Sequence, residues 1–166
     1  MENQALGVWI LFLGWFGFNP GSAGIIAGGD DPLAHDLPAI VAINTMVGGI
    51  AAAGFGFLID NFVFGKINIT STLNCVLCGL VGVTGIANAC SAPSAIVIGA
   101  ISAIIYHCVA PLLPNRFGID DPLDVFAVHG ANGIWGTLAI GLFHQTDGLF
   151  FSGSPTLLWV QVYCLK

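Results

Sequence analysis

One histidine stands where an ionisable group is hard to accommodate. His129 lies in Asp120-Asp121-Pro122-Leu123-Asp124-Val125-Phe126-Ala127-Val128-His129-Gly130-Ala131-Asn132-Gly133-Ile134-Trp135-Gly136, and residues 125–146 carry no formal charge. The run is long enough for a helix to cross a bilayer core, which needs about 20 apolar residues. Asp121 is suited to cap that helix, Pro122 to its first position, and Asp124 adds negative charge where the helix dipole favours it. At about 1.5 Å per residue His129 lies roughly 10 Å in, deeper than imidazole can snorkel. It either hydrogen-bonds a neighbouring helix or lines a pathway. Hydrocarbon favours the neutral ring, which both donates and accepts and can take a proton from a small cation. Asn132 and Gly133, one turn on, offer an amide and a gap beside it.

The second candidate is Leu13-Gly14-Trp15-Phe16-Gly17-Phe18-Asn19-Pro20-Gly21-Ser22-Ala23-Gly24. Aromatic residues near a span end suit an interfacial belt. Pro20 is expected to break the helical ladder, with Asn19 and Ser22 satisfying the freed backbone, a device tolerated where a segment lines a cavity. There an aromatic wall can hold a cation while a hydroxyl accepts its hydrogen bond. Belt and binding site both fit these residues.

Other groups have plainer readings. His35 and His144 fall near span ends, and His107 reads as a packing or helix-end histidine with no acid beside it. Asp120, Asp121 and Asp124 are accounted for by the helix start, and the aspartates at 30, 31, 36, 60 and 147 read as loop charges. Of five cysteines, Cys75 and Cys78 form a CxxC without a second ligand pair, so a thiol there is a small hydrophobe. No metal or cofactor is expected. An enzyme is the weakest reading, because no nucleophile, acid and base converge on one segment.

The elements that position these residues are membrane helices. Of 166 residues 56% are hydrophobic and 7% charged, whereas soluble domains carry about 25% charged residues. Three bases against nine acids leave no footprint for nucleic acid. The charge gaps and the turn signal at Asn88-Ala89-Cys90-Ser91-Ala92-Pro93 predict spans at about 5–27, 38–59, 72–87, 94–112 and 122–144, with a sixth, 156–165, too short to cross. Alternating spans place Lys66, Arg116 and Lys166 on one side, cytoplasmic by the positive-inside rule. The sequon Asn68-Ile69-Thr70 points the other way. Glycines at 14, 17, 21 and 24, at 130, 133 and 136, and at 48, 49, 54, 56, 79, 82 and 85 read as contacts for close helix packing. The expected fold is all-α, a polytopic helical bundle with short loops.

Gly14-Trp15-Phe16-Gly17-Phe18-Asn19-Pro20-Gly21-Ser22 and Asp120-Asp121-Pro122-Leu123-Asp124-Val125-Phe126-Ala127-Val128-His129-Gly130 resemble motifs of the ammonium transporter family, the Amt/Mep group related to Rh proteins. Gly79-Leu80-Val81-Gly82-Val83-Thr84 is a third match in the same order. The resemblance implies an eleven-helix fold of two inverted halves, usually a homotrimer with one pore per subunit, of which this chain resembles helices six to ten and the start of eleven. It implies that His129 is the second member of a histidine pair that relays protons, Phe18 the inner gate, Ser22 the hydroxyl of the outer ammonium site with Trp15 beside it, and Thr84 a pore-region threonine. Asp124 matches a family acid read as structural, and Asn132 is a weaker pore-lining candidate.

The function so implied is ammonium transport in the plasma membrane: recruitment of ammonium, its deprotonation, and passage of ammonia and proton. Partners would be ammonium or ammonia and the lipid bilayer; the tail through which the family meets PII-type regulators has no counterpart here. The chain reads as a fragment, a truncated product or one part of a split transporter, not expected to conduct alone. Two other readings are an inactive subunit that co-oligomerises with full-length transporters and modulates them, and a half-size carrier of another solute that dimerises to complete itself.

Overall fold

The structure, a computed structural model, describes residues 2–23 and 32–165, with the side chains of 32–36 and 164 left aside. The charges Asp30, Asp31 and Asp36, the imidazole of His35, Gly24, the expected end of the first span at 27, the Cys164 thiol and Lys166 lie outside that description.

All regular structure among the described residues is helical, with no strand. α1 spans Glu2–Ser22, α2 Pro32–Phe62, α3 Ile69–Thr84 and α4 Ala92–Val109. A π-helical turn at Leu113–Phe117 follows α4, and a second at Phe126–Ala131 leads into α5, Asn132–Phe143. The short α6, Leu149–Ser152, and α7, Thr156–Cys164, complete the order. Among the described residues three stretches are long and apolar enough to cross a membrane, Leu37–Phe62, Ala92–Phe117 and Phe126–Phe143, with Ile69–Thr84 a shorter apolar helix. Large side chains face outward, Leu13 73% and Ile50 58% exposed. An apolar surface of this kind suits lipid as its solvent.

Local sequence explains the helix starts. The Asn68 side chain accepts hydrogen bonds from the backbone N–H groups of Thr70 and Ser71, so the sequon asparagine is the cap of α3. Ser91 caps α4 by accepting from Ser94 N–H, with Pro93 just inside the helix. Asp121 accepts from the N–H groups of Val125 and Phe126 at 2.9 and 2.8 Å. The cap is the expected residue, but the helix starts later: Pro122 and Leu123 form a turn, and the helix begins at Val125 rather than at 122. Asp124 lies outside the first turn, at φ 55°. Pro20 does not end α1 either, because the helix continues through it to Ser22 and Ala23 N–H still bonds Asn19 O at 3.2 Å.

α2, α3 and α4 form the tightest part of the bundle. A Cβ on Gly79 or on Gly99 would collide with the Gly48 carbonyl oxygen, so three glycines let three helices meet backbone to backbone. Gly136 of α5 approaches Gly82 O in the same way, at 2.9 Å for a Cβ built there. By contrast Gly14, Gly17, Gly21 and Gly133 have nothing within 4 Å of such a Cβ, so the α1 stripe packs against no described neighbour. One apolar core gathers Cys75, Cys78, Leu80, Ala103 and Val128, and a second Val41, Val83, Ile86, Ile98 and Phe143. Asn44 Nδ2 donates to Ala87 O at 2.9 Å and Cys90 O at 2.8 Å, tying α2 to the turn after α3.

Candidate functional site

α1 is held to α3 by its tryptophan. Trp15 Nε1–H donates to Thr84 Oγ1 at 2.9 Å, and the Thr84 hydroxyl donates to Leu80 O at 2.7 Å. The hydroxyl has thus spent its proton and one acceptor site, and works as a clasp between two of the three matched motifs. Phe18 meets the Trp15 ring edge-on at a centroid distance of 6.4 Å and is 57% exposed. One turn on, Asn19 is buried and donates through Nδ2 to Thr45 Oγ1 of α2 at 3.0 Å, so it ties helices together instead of satisfying a break in α1.

Two small hollows flank the clasp. Trp15, Val81, Thr84, Gly85, Gly133 and Thr137 line one of about 270 Å³. Asn19, Ser22, Val41, Thr84 and Asn88 line the other, about 180 Å³ and mostly polar. Thr84 and Gly85 belong to both, which brings Trp15, Ser22 and Thr84 along one strip of the surface. The Asn19 Oδ1 atom is buried without a hydrogen-bond partner.

His129 sits elsewhere. It is exposed and lines a groove of about 680 Å³ with Leu113, Phe117, Val125, Phe126 and Gly130. It shares neither hollow with Trp15 or Ser22, although Gly133, one turn along, lines the first of them. The π-helical turn that carries it is closed by Asn132, whose Nδ2 donates to Ala127 O at 2.9 Å. Asn132 is 0% exposed, so it is inside the bundle and not on a cavity wall. Before that turn Asp124 accepts from Tyr106 Oη–H at 2.7 Å and Asn74 Nδ2 at 3.1 Å, and Gln4 Nε2 donates to Asn74 Oδ1 at 3.2 Å. This network joins α1, α3 and α4 to the segment that aims His129.

A further cluster escaped the sequence reading. Asp60 is not a loop charge: it is the buried end of α2, 4% exposed, with Oδ1 at 3.1 Å from His107 Nε2. His107 therefore has an acid beside it after all. Ser71 Oγ lies 3.1 Å from the same nitrogen, and Phe64 stacks on the ring at 5.9 Å. α2 runs a few residues past its expected end at 59, which carries Asp60 inside the fold. The two partners are far apart in sequence, and nothing short of packing announces them.

An all-helical chain with apolar spans and outward-facing hydrophobic side chains is an integral membrane protein, here with small hollows between its helices. It belongs to the ammonium transporter family, whose model, Ammonium Transporter Family, matches residues 1–165. It is 34% identical over 173 residues to Putative ammonium transporter 3 of Caenorhabditis elegans, covering 98% of this chain and 24% of that protein. A putative ammonium transporter of Synechocystis is 40% identical over 147 residues, covering 86% and 32%. Among solved structures a Sensor Amt Protein superposes with a TM-score of 0.82 at 30% identity, over 95% of this chain and 38% of that one. A mutant of Mep2 from Candida albicans does so at 0.81 and 27%, over 95% and 36%. The chain thus spans between about a quarter and two fifths of the length of these relatives.

Proposed function

We propose that this chain supplies one wall of an ammonium-conducting pathway. The observation that carries the reading is the Trp15–Thr84 clasp with the Ser22 hollow beside it, because it draws two distant matched motifs into one site. In this reading Ser22 accepts a hydrogen bond from ammonium, Trp15 presents an aromatic face to the ion, and Phe18 is the gate below. His129, set apart in its groove, takes or passes a proton further in. Asp121 and Asp124 hold the start of its helix.

The chemistry follows from solvation. A bare cation in an apolar passage costs several kcal/mol even after relaxation. An ion that gives up a proton to an imidazole travels as a neutral molecule, and potassium, lacking a proton to lose, does not. The relatives are transporters, and this chain is read as a carrier rather than a catalyst. Its helices α1 to α5 cross the plasma membrane with the Lys66 and Arg116 loops cytoplasmic, and the assembly is a homotrimer.

The test expresses this chain together with the complementary segment of a full-length relative, in cells lacking their own ammonium transporters, and follows growth on limiting ammonium. Growth that Ser22→Ala and Trp15→Ala each reduce supports the reading. Growth indifferent to both, with both chains present in the membrane, refutes it.

A further inference from the structure

Asn19 holds a strong acceptor that no hydrogen reaches. The residue is 4% exposed, and among the described residues nothing bonds its Oδ1. Which end of the amide is oxygen follows from Thr45. Thr45 Oγ1 lies 2.7 Å from Val41 O, and two oxygens that close share a hydrogen, which only the hydroxyl carries. With that hydrogen spent, Thr45 Oγ1 can only accept, so the Asn19 atom 3.0 Å away is Nδ2 and Oδ1 is the end left over. A buried carbonyl normally finds a donor, and leaving it bare costs its full desolvation.

The hollow of about 180 Å³ that Asn19 borders is short of donors. The Thr84 hydroxyl, also on its wall, gives its hydrogen to Leu80 O at 2.7 Å and accepts from Trp15 Nε1–H, which leaves it one lone pair. The carbonyls of Val41 and Ala87, two more wall residues, already receive Thr45 and Asn44. Ser22 and Asn88 are exposed, and each can turn to donate or to accept. What enters must therefore bring hydrogens. Water brings two and no charge, whereas ammonium brings four and a positive charge, which strengthens each hydrogen bond it donates.

We infer that Asn19 is a further substrate-binding residue, whose Oδ1 accepts an N–H of the ammonium ion that Ser22 receives. The inference rests on the ammonium pathway proposed above and adds to it a second acceptor, three residues before the first and on the same face of α1. The bond to Thr45 holds the amide so that its oxygen stays free for the ion. Potassium meets the same oxygens, so this contact recruits a cation and leaves the choice between the two ions to proton loss further in.

The test measures the half-saturating ammonium concentration of the current through membranes containing this chain and its complementary segment. Asn19→Ala removes both the acceptor and the tie to α2, whereas Thr45→Val removes the tie alone. Asn19→Ala should raise the half-saturating concentration at least about tenfold, the loss of one hydrogen bond to a charged group, and Thr45→Val should raise it far less. Infrared spectra of the unsubstituted chain with isotope-labelled asparagine side chains need no variant, and decide the matter if Asn19→Ala fails to reach the membrane. Ammonium chloride, compared with tetramethylammonium chloride, which has the same charge and no N–H, should move a side-chain carbonyl band to lower wavenumber. If Ser22→Ala is impaired while Asn19→Ala is no worse than Thr45→Val, the hollow holds water only and the inference alone is overturned, as it is by an unmoved carbonyl band. If Ser22→Ala equals the unsubstituted chain, or no ammonium current flows, the ammonium reading fails and takes this inference with it.

Discussion

Adding one methyl group at Gly79 tests whether glycine contact is what places the Trp15–Thr84 clasp. A Cβ there would collide with Gly48 O and lie 2.6 Å from Ala52 Cβ. Carbon atoms pack at about 3.5–4.0 Å, so α3 must retreat from α2 by about 1 Å. Overpacking of this kind costs about 1–3 kcal/mol. Gly14→Ala is the matched reference, because it brings the same gain in helix propensity, about 1 kcal/mol, with nothing within 4 Å to meet. The difference between the two variants isolates the steric cost. At about 2–4 °C per kcal/mol for a chain of this size, Gly79→Ala should unfold several degrees below Gly14→Ala in nanodiscs. The retreat also carries Thr84 away from Trp15, so the tryptophan emission of Gly79→Ala should shift while that of Gly14→Ala does not. Equal melting temperatures and unchanged emission would refute the reasoning.

Other outcomes follow from the same geometry. Asp124→Ala removes the acceptor of the Tyr106 hydroxyl and of one Asn74 amide N–H, the other still donating to Tyr106 Oη, and should cost about 1.5–3 kcal/mol. Asp124→Asn keeps an acceptor and tolerates φ 55°, so it should melt between that variant and the unsubstituted chain. Trp15→Phe deletes the bond to Thr84 and should cost about 1 kcal/mol, read as a fall of a few degrees in Tm. Burial pushes the Cys90 thiol from 9.0 up to about 11. Its thiolate fraction near pH 8 is then about a hundredfold below that of an ordinary thiol, so maleimide should label it only after denaturation.

Much of the architecture was legible because a membrane leaves few solutions for an uncharged stretch. The turn at residues 88–93 followed from its polar residues, and Ser91 does cap what comes after it. The close approach of Gly48 and Gly79 could be read as small residues on facing helices, but the partner in Gly99 and the emptiness beside Gly14 could not, since spacing along one helix says nothing of what lies opposite. Pro20 shows the same limit: proline removes one N–H from the ladder, but the neighbouring bonds persist, Ala23 N–H still reaching Asn19 O, and α1 runs through it. At the site, Trp15 and Thr84 were each named from motifs, yet only packing shows that one bonds the other. Asp60 and His107 carry no spacing signal at all, being brought together by the crossing of α2 and α4. Asn132 follows His129 by one turn, a spacing that suggests a wall residue, whereas across the π-helical turn its side chain closes inward on Ala127 O.

The most direct measurement of the central claim is the ammonium current through membranes containing this chain and its complementary segment, with His129 intact and with His129→Ala. If the imidazole takes the proton, the substitution should lower the ammonium current at least about tenfold and leave potassium excluded in both cases. An ammonium current that His129→Ala leaves unchanged, or one that potassium carries equally well, would contradict the account.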